Sequence, residues 1–137
     1  MEGALHKFLK ETVADELQRQ NYSIYYEPLE SPLKRLWWNS YRPDVLAMKS
    51  RKSNLDVIFV ECETKPNRKR VLRKTEKIKK YISLQKELHE NATILPLLII
   101  PPFNLNKIIS SQLRQIWEIW IINNVGEIKH KISQIRK

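Results

Sequence analysis

Glycine is nearly missing from this sequence. Two glycines in 137 residues leave no room for a glycine-rich phosphate-binding loop. One cysteine, Cys62, has no partner within the chain, which excludes a disulfide scaffold and suits a reducing compartment. With that single cysteine, the three scattered histidines (His6, His89 and His130) exclude the usual zinc-finger ligand set. The longest apolar run, Ile94 to Ile100, is too short to span a bilayer and contains Pro96. The N-terminal MEGALHKFLKETVADEL is amphipathic and carries acids, and it does not read as a signal peptide. These absences predict a soluble, cytoplasmic protein with no membrane partner.

Acid is also in short supply. Lys and Arg number 25 against 15 Asp and Glu, a net charge of +10. The usual partners of so basic a surface are nucleic acid or an anionic membrane. Hydrophobic residues at 42% and charged residues at 29% are an ordinary globular mix, which excludes a disordered chain. The length predicts one domain over residues 1–137 with a real core.

Hydrophobic spacing predicts nine elements. Leu5, Phe8, Leu9, Val13 and Leu17 mark a helix over 4–20, stopped near Asn21. Strands follow at 23–27, 43–49 and 55–65, the last two joined by a turn at 50–54. A long helix covers 68–90 and a buried strand covers 93–100, ended by Pro101 and Pro102. A helix over 105–114 precedes a hairpin of 116–123 with 127–132. Trp117, Ile119 and Ile121 alternate with Glu118, Trp120 and Ile122, so this strand is buried on both faces or lies in a dimer interface. The order predicts an α/β fold, with α-β-β-β-α-β around a mixed sheet and a C-terminal helix and β-hairpin.

The informative segment is RPDVLAMKSRKSNLDVIFVECETK, residues 42–65. Along a strand Glu61, Glu63 and Lys65 share the face of Val57 and Phe59, while Val60, Cys62 and Thr64 take the other. Either the strand leaves the core at Glu61, or an apolar face turns into carboxylates for a reason. A short turn near 50–54 makes the two strands antiparallel neighbours, which brings Asp44 to the same end as Glu61 and Glu63. Like charges gathered this way call for a cation, and Mg²⁺ or Mn²⁺ suits carboxylates that must also accept phosphate.

With these residues in place, the chain resembles the PD-(D/E)xK nuclease superfamily over roughly residues 4–100. Within it, the short chain resembles archaeal Holliday-junction resolvases and related small plasmid or viral nucleases. The resemblance implies a restriction-endonuclease-like fold, an Mg²⁺-dependent deoxyribonuclease and a homodimer acting on DNA rather than on a small molecule. It implies metal ligands at Asp44, Glu61 and Glu63, and catalytic roles for these three and Lys65. Two registers stay open. In one, Glu63-Thr64-Lys65 is the acid-x-Lys triplet. In the other, Glu61-x-Glu63 is the motif, and Lys65 or a helix lysine such as Lys77 supplies the positive charge. The superfamily also tends to place a glutamate on the first helix. Glu11 and Glu16 are the candidates, with Glu27 as an outer acid, and none aligns cleanly.

From Lys65 to Lys80 nine residues are basic and Glu76 is the only acid. Lys69, Arg73, Lys77 and Lys80 share a helix stripe flanked by Arg70 and Lys74, with Arg68 at its head. A phosphate backbone on this stripe would lead into the carboxylates. A second basic-aromatic cluster, Lys34, Arg35, Trp37, Trp38, Tyr41 and Arg42, can stack on bases, fill a core edge or form a dimer contact. The rival reading is a non-catalytic nucleic-acid-binding protein that keeps a nuclease-like fold.

Overall fold

The computed structural model describes residues 3–26, 43–65, 67–88, 91–102 and 111–135. The elements are α1 (Ala4–Arg19), β1 (Ser23–Tyr26), β2 (Val45–Arg51), β3 (Asn54–Cys62), α2 (Arg68–Leu88), β4 (Ala92–Ile100), α3 (Ser111–Arg114), β5 (Glu118–Ile122) and β6 (Ile128–Ile132). The expected order of helices and strands holds, with most ends shifted by one or two residues. The residues before Ser111 in the expected third helix, and the whole basic-aromatic cluster around Trp37 and Trp38, lie outside the described residues.

The six strands form one mixed sheet in sequence order, β1 to β6. β1, β2 and β3 run antiparallel, β3, β4 and β5 run parallel, and β6 returns antiparallel to β5. α2 makes the crossover between β3 and β4. One core lies between the sheet and α2 and holds Leu46, Phe59, Val71, Ile78, Leu98 and Trp117. The other lies on the α1 side and holds Leu9, Val13, Leu17, Val45, Val60 and Cys62. The sheet is therefore covered on both faces, and β4 reads as an unbroken apolar run for that reason. Pro96 is tolerated because β5 joins β4 only from Leu97 onward, so β4 at Pro96 has a partner on one side alone.

Local chemistry sets the turns. Asn21 takes a left-handed φ of 71° and ends α1 where the sequence predicts a stop. The β2–β3 hairpin turns tightly, with Arg51 opposite Asn54 and Lys52 at φ 52°. Gly126 holds φ 82° in the β5–β6 turn, and a Cβ there would meet Phe8 Cζ of α1 at 3.4 Å. Leu5 departs from expectation: it begins the apolar stripe of α1 but is exposed.

β5 is buried within the chain by β4, β6 and the two helix layers, so its apolar faces need no second copy. Just ahead of it, the fully buried Trp117 donates its indole N–H to Thr75 Oγ1 at 2.8 Å, and that hydroxyl donates to Val71 O at 2.7 Å. Thr75→Val keeps the shape and leaves the indole without its acceptor. It is expected to cost about 1–3 kcal/mol in urea denaturation, whereas Thr75→Ser should cost less than half as much.

Candidate active site

The carboxyl ends of the parallel strands share one edge of the sheet, the edge at which open α/β sheets commonly hold ligands. Asp44 immediately precedes β2 there. Val45 pairs with Val60, which sets Asp44 opposite Glu61 as the sequence predicts. The Cys62 backbone N–H donates to Asp44 Oδ2 at 2.8 Å and fixes the carboxylate. The Glu63 N–H donates to Ile99 O at 2.9 Å, which carries the ladder to β4 one residue past β3. Glu61 and Glu63 are thus backbone-locked on the α2 side, with Phe59 below them. They are 7% and 2% exposed, so β3 does not leave the core at Glu61. Two buried carboxylates are tolerated only with charged partners.

Those partners come from α2. Its Val71, Ile78 and Tyr81 point into the core, and Arg70 and Lys74 flank that stripe toward the strand ends. Lys74 Nζ lies 3.3 Å from Glu61 Oε2 and 3.0 Å from Glu63 Oε2. Arg70 Nε lies 3.2 Å from Glu63 Oε1. Glu63 Oε2 is a buried oxygen without an aligned hydrogen bond, held to the ammonium by charge. Burial pulls the Lys74 pKa down, but the charge of Glu61, the close contact and charge of Glu63, and the charge of Asp44 outweigh it, so the ammonium titrates above its ordinary value.

On the other side, α1 supplies His6, whose Nε2 lies 3.3 Å from Asp44 Oδ2. Lys10, one turn on, is 6% exposed, and its charge reaches the Cys62 thiol. The acids of α1 do not take this place. Glu11 is exposed, and Glu16 pairs with Arg19 at 3.5 Å on the surface. Glu27 lies outside the described residues. The helix group that meets Asp44 is therefore an imidazole. Sequence reasoning missed it because His6 read as one of three scattered histidines. The available signal was spacing: His6, Leu9, Val13 and Leu17 share one stripe, which places His6 at its open end.

The thiol of Cys62 is pushed well up, first by burial and then by the charges of Asp44 and Glu61, against the opposing pull of Lys74 and Lys10. Above its ordinary value of 9.0 the unfolded chain releases this proton while the folded chain keeps it. Stability should therefore fall as pH rises past that point. Lys74, held protonated in the fold, acts in the same direction above its ordinary value of 10.5. The urea midpoint is expected to drop between pH 8 and pH 10, and Cys62→Ala should shrink that drop.

The other expected residues separate. Lys65 is exposed and has no ion-pair partner among the described residues. Arg68, Lys69, Arg73, Lys77 and Lys80 form an exposed basic face on α2. Arg70 and Lys74, expected to flank that face, are engaged with the carboxylates. Lys77 is not the helix lysine that reaches them. Arg42 lies outside the described residues. Among the described residues no three His, Cys, Asp or Glu side chains converge tightly enough to hold a metal ion as they stand. A cavity of about 700 Å³ lies at the opposite end of β3, between Tyr22, Arg51, Asp56 and Ile116, away from these carboxylates. No helix among the described residues is long and apolar enough to cross a membrane.

No family model and no curated protein matches the chain. Solved structures do. One is a FdxN element excision controlling factor protein from Anabaena variabilis, with a TM-score of 0.53 and 12% identity, covering 93% of this chain and 99% of that one. Another is an XisH family protein from Nostoc punctiforme, with a TM-score of 0.52 and 12% identity, covering 92% and 99%. At this identity the likeness is one of fold. It agrees with the α/β architecture around a mixed sheet that the sequence predicts.

Proposed function

We propose that the chain is a divalent-metal-dependent DNA endonuclease of the PD-(D/E)xK kind. The observation that carries this reading is the burial of Glu61 and Glu63 at the carboxyl end of β3, beside Asp44. A fold does not bury two carboxylates at a sheet edge for stability, because apolar residues of the same volume serve at least as well. The donors suit a hard cation because they are carboxylate oxygens. Lys74 now supplies the positive charge between Glu61 and Glu63.

In this reading Asp44, Glu61 and Glu63 would hold Mg²⁺ or Mn²⁺. Such an ion lowers the pKa of a bound water and neutralises phosphoryl charge. The burial of both glutamates and the exposure of Lys65 favour the Glu61-x-Glu63 register. Lys74 then takes the role that the acid-x-Lys register gives to Lys65: its ammonium is aimed at the carboxylates and can donate to a phosphate oxygen entering there. Arg68, Lys69, Arg73, Lys77 and Lys80 would guide the backbone toward the strand ends. Structure-selective cutting by a homodimer, as the resolvase resemblance implies, belongs to the same proposal, and sedimentation on a four-way junction tests it. The name of the Anabaena variabilis neighbour, an element excision controlling factor, agrees with work on nucleic acid.

One observation favours the rival, a DNA-binding protein that does not cut: Lys74 and Arg70 already neutralise the buried carboxylates. A labelled panel of duplex, single strand, flap and junction, with Mg²⁺, Mn²⁺ or EDTA, separates the two. Cleavage that needs metal and is lost in Asp44→Ala supports the nuclease. Tight binding with no cleavage under any metal supports the rival. Both readings share a further expectation for the basic face. Arg73→Ala and Lys77→Ala should each lower the slope of log K against log salt by about one and weaken all sequences alike.

A further inference from the structure

We infer that His6 and Asp44 together seat a divalent cation, and that the imidazole makes this seat favour Mn²⁺ over Mg²⁺. The inference rests on the cation reading above and assigns His6 a role that the carboxylate motif does not contain.

Three observations carry it. The first is distance. His6 Nε2 and Asp44 Oδ2 lie 3.3 Å apart. That is long for a charge-assisted hydrogen bond, which closes to about 2.7–2.9 Å. It is near the spacing of about 3 Å between adjacent ligands on an octahedral ion with bonds of about 2.1 Å. The two donors can therefore meet one cation with little rearrangement. The second is anchorage. Asp44 is fixed by the Cys62 N–H at 2.8 Å, a hydrogen bond of the kind that orients metal-bound carboxylates. His6 comes from the first turns of a helix whose Leu9 and Val13 are fully buried, so its ring is delivered from a rigid element. The third is access. The two side chains are 24% and 16% exposed, enough for waters and a phosphate to complete the coordination. A seat whose coordination is finished by water and phosphate is usual where the substrate itself is anionic.

The preference follows from donor chemistry. Mg²⁺ takes oxygen almost exclusively, while imidazole nitrogen suits first-row transition ions. Carboxylates alone leave the two ions closer together, so the Mn²⁺/Mg²⁺ affinity ratio and its dependence on His6 are the quantities to read. Lys10 and Lys74 oppose any cation here, which lowers the affinity for both ions alike and leaves their ratio to the donor atoms.

The test needs no DNA and no activity. The full chain is titrated calorimetrically with Mn²⁺ and, separately, with Mg²⁺, and its Mn²⁺ complex is examined by pulsed EPR with ¹⁵N-labelled histidine. Expected is a coupling from one directly bound imidazole nitrogen that persists in His130→Gln and His89→Gln and vanishes in His6→Gln. His6→Gln should weaken Mn²⁺ by about 10-fold or more while changing Mg²⁺ less than about 2-fold. Mn²⁺ binding that needs Asp44 but shows no nitrogen coupling overturns the inference and leaves the carboxylate site standing. Failure of both ions to bind at millimolar concentration overturns the inference together with the cation reading. The coupling itself is read in the unmodified chain, and its persistence in both other histidine variants assigns it to His6 even where His6→Gln folds poorly.

Discussion

Lys74→Met is expected to lower the stability of the chain by about 3 kcal/mol at neutral pH, a fall of about 10 °C in Tm. The ammonium is the group that Glu61 and Glu63 share, at 3.3 and 3.0 Å, and both carboxylates are almost wholly buried. Methionine keeps the side chain's length and removes its charge. Arg70 remains on Glu63, but its side chain is 56% exposed and its pull is weakened by water. Breaking one partner out of a buried charge group costs roughly 3–5 kcal/mol, and the low end applies because Lys74 keeps 29% exposure. The deficit has a pH signature. A carboxylate left alone in the core is tolerated by taking up a proton, so the gap between variant and parent should narrow as pH falls from 7 to 5. Glu63→Gln added to Lys74→Met should recover more than half of the loss, the mark of direct coupling. A single Lys74→Met variant within about 0.5 kcal/mol of the parent, with no pH dependence, would show that the carboxylates do not lean on α2.

This dependence on α2 also shows how much of the site could be read from the sequence. The meeting of Asp44 with Glu61 needed only two facts, a short turn and the period of two along a strand, and both are local. The shared face of Val57, Phe59, Glu61 and Glu63 is legible for the same reason. Which helix residue reaches the carboxylates is not local. The basic run of α2 offers a cation on nearly every turn face, and nothing within the run says how the helix is rotated over the sheet. That rotation is set by Val71, Ile78 and Tyr81 dropping into the core against Phe59 and Leu98, with Trp117 bonded to Thr75. Once those are seated, residues 70 and 74 face the strand ends and 73 and 77 face outward. Lys77 is a reasonable choice from the sequence and Lys74 is the result of packing.

The same distinction explains the first helix. The resemblance implies an acid on α1, and Glu11 and Glu16 lie within its span. Glu11 is exposed on the outer side of the helix, and Glu16 lies near the far end of α1 from Asp44, paired with Arg19. His6 lies on the stripe of Leu9, Val13 and Leu17 that anchors the helix, one turn before the core begins. Burial of Glu61 and Glu63 was likewise beyond the pattern. Alternation places them on the apolar face but cannot say whether the helix above covers them.

Asp44→Asn is expected to abolish metal-dependent cleavage, by about 100-fold or more, while leaving the chain folded. The amide is nearly isosteric, and its oxygen can still accept the Cys62 N–H that Asp44 Oδ2 accepts at 2.8 Å, so the tie between β2 and β3 survives. What is lost is one full negative charge at the point where the strand ends, His6 and Lys74 converge. Removing that charge also leaves Lys74 and Lys10 less opposed, so the site becomes more positive. DNA binding without metal should then hold or strengthen slightly as cleavage disappears. That divergence is the useful result. A fold defect lowers binding and cleavage together, whereas loss of a metal-holding carboxylate lowers cleavage alone. It also separates this residue from the basic face, where Arg73→Ala weakens binding and lowers cleavage only as far as binding falls. If Asp44→Asn cuts as well as the parent in Mg²⁺ and in Mn²⁺, the carboxylates at the strand ends are not the catalytic centre. Their burial would then have to be explained by Lys74 and Arg70 alone, as a charged clamp that fixes α2 on the sheet.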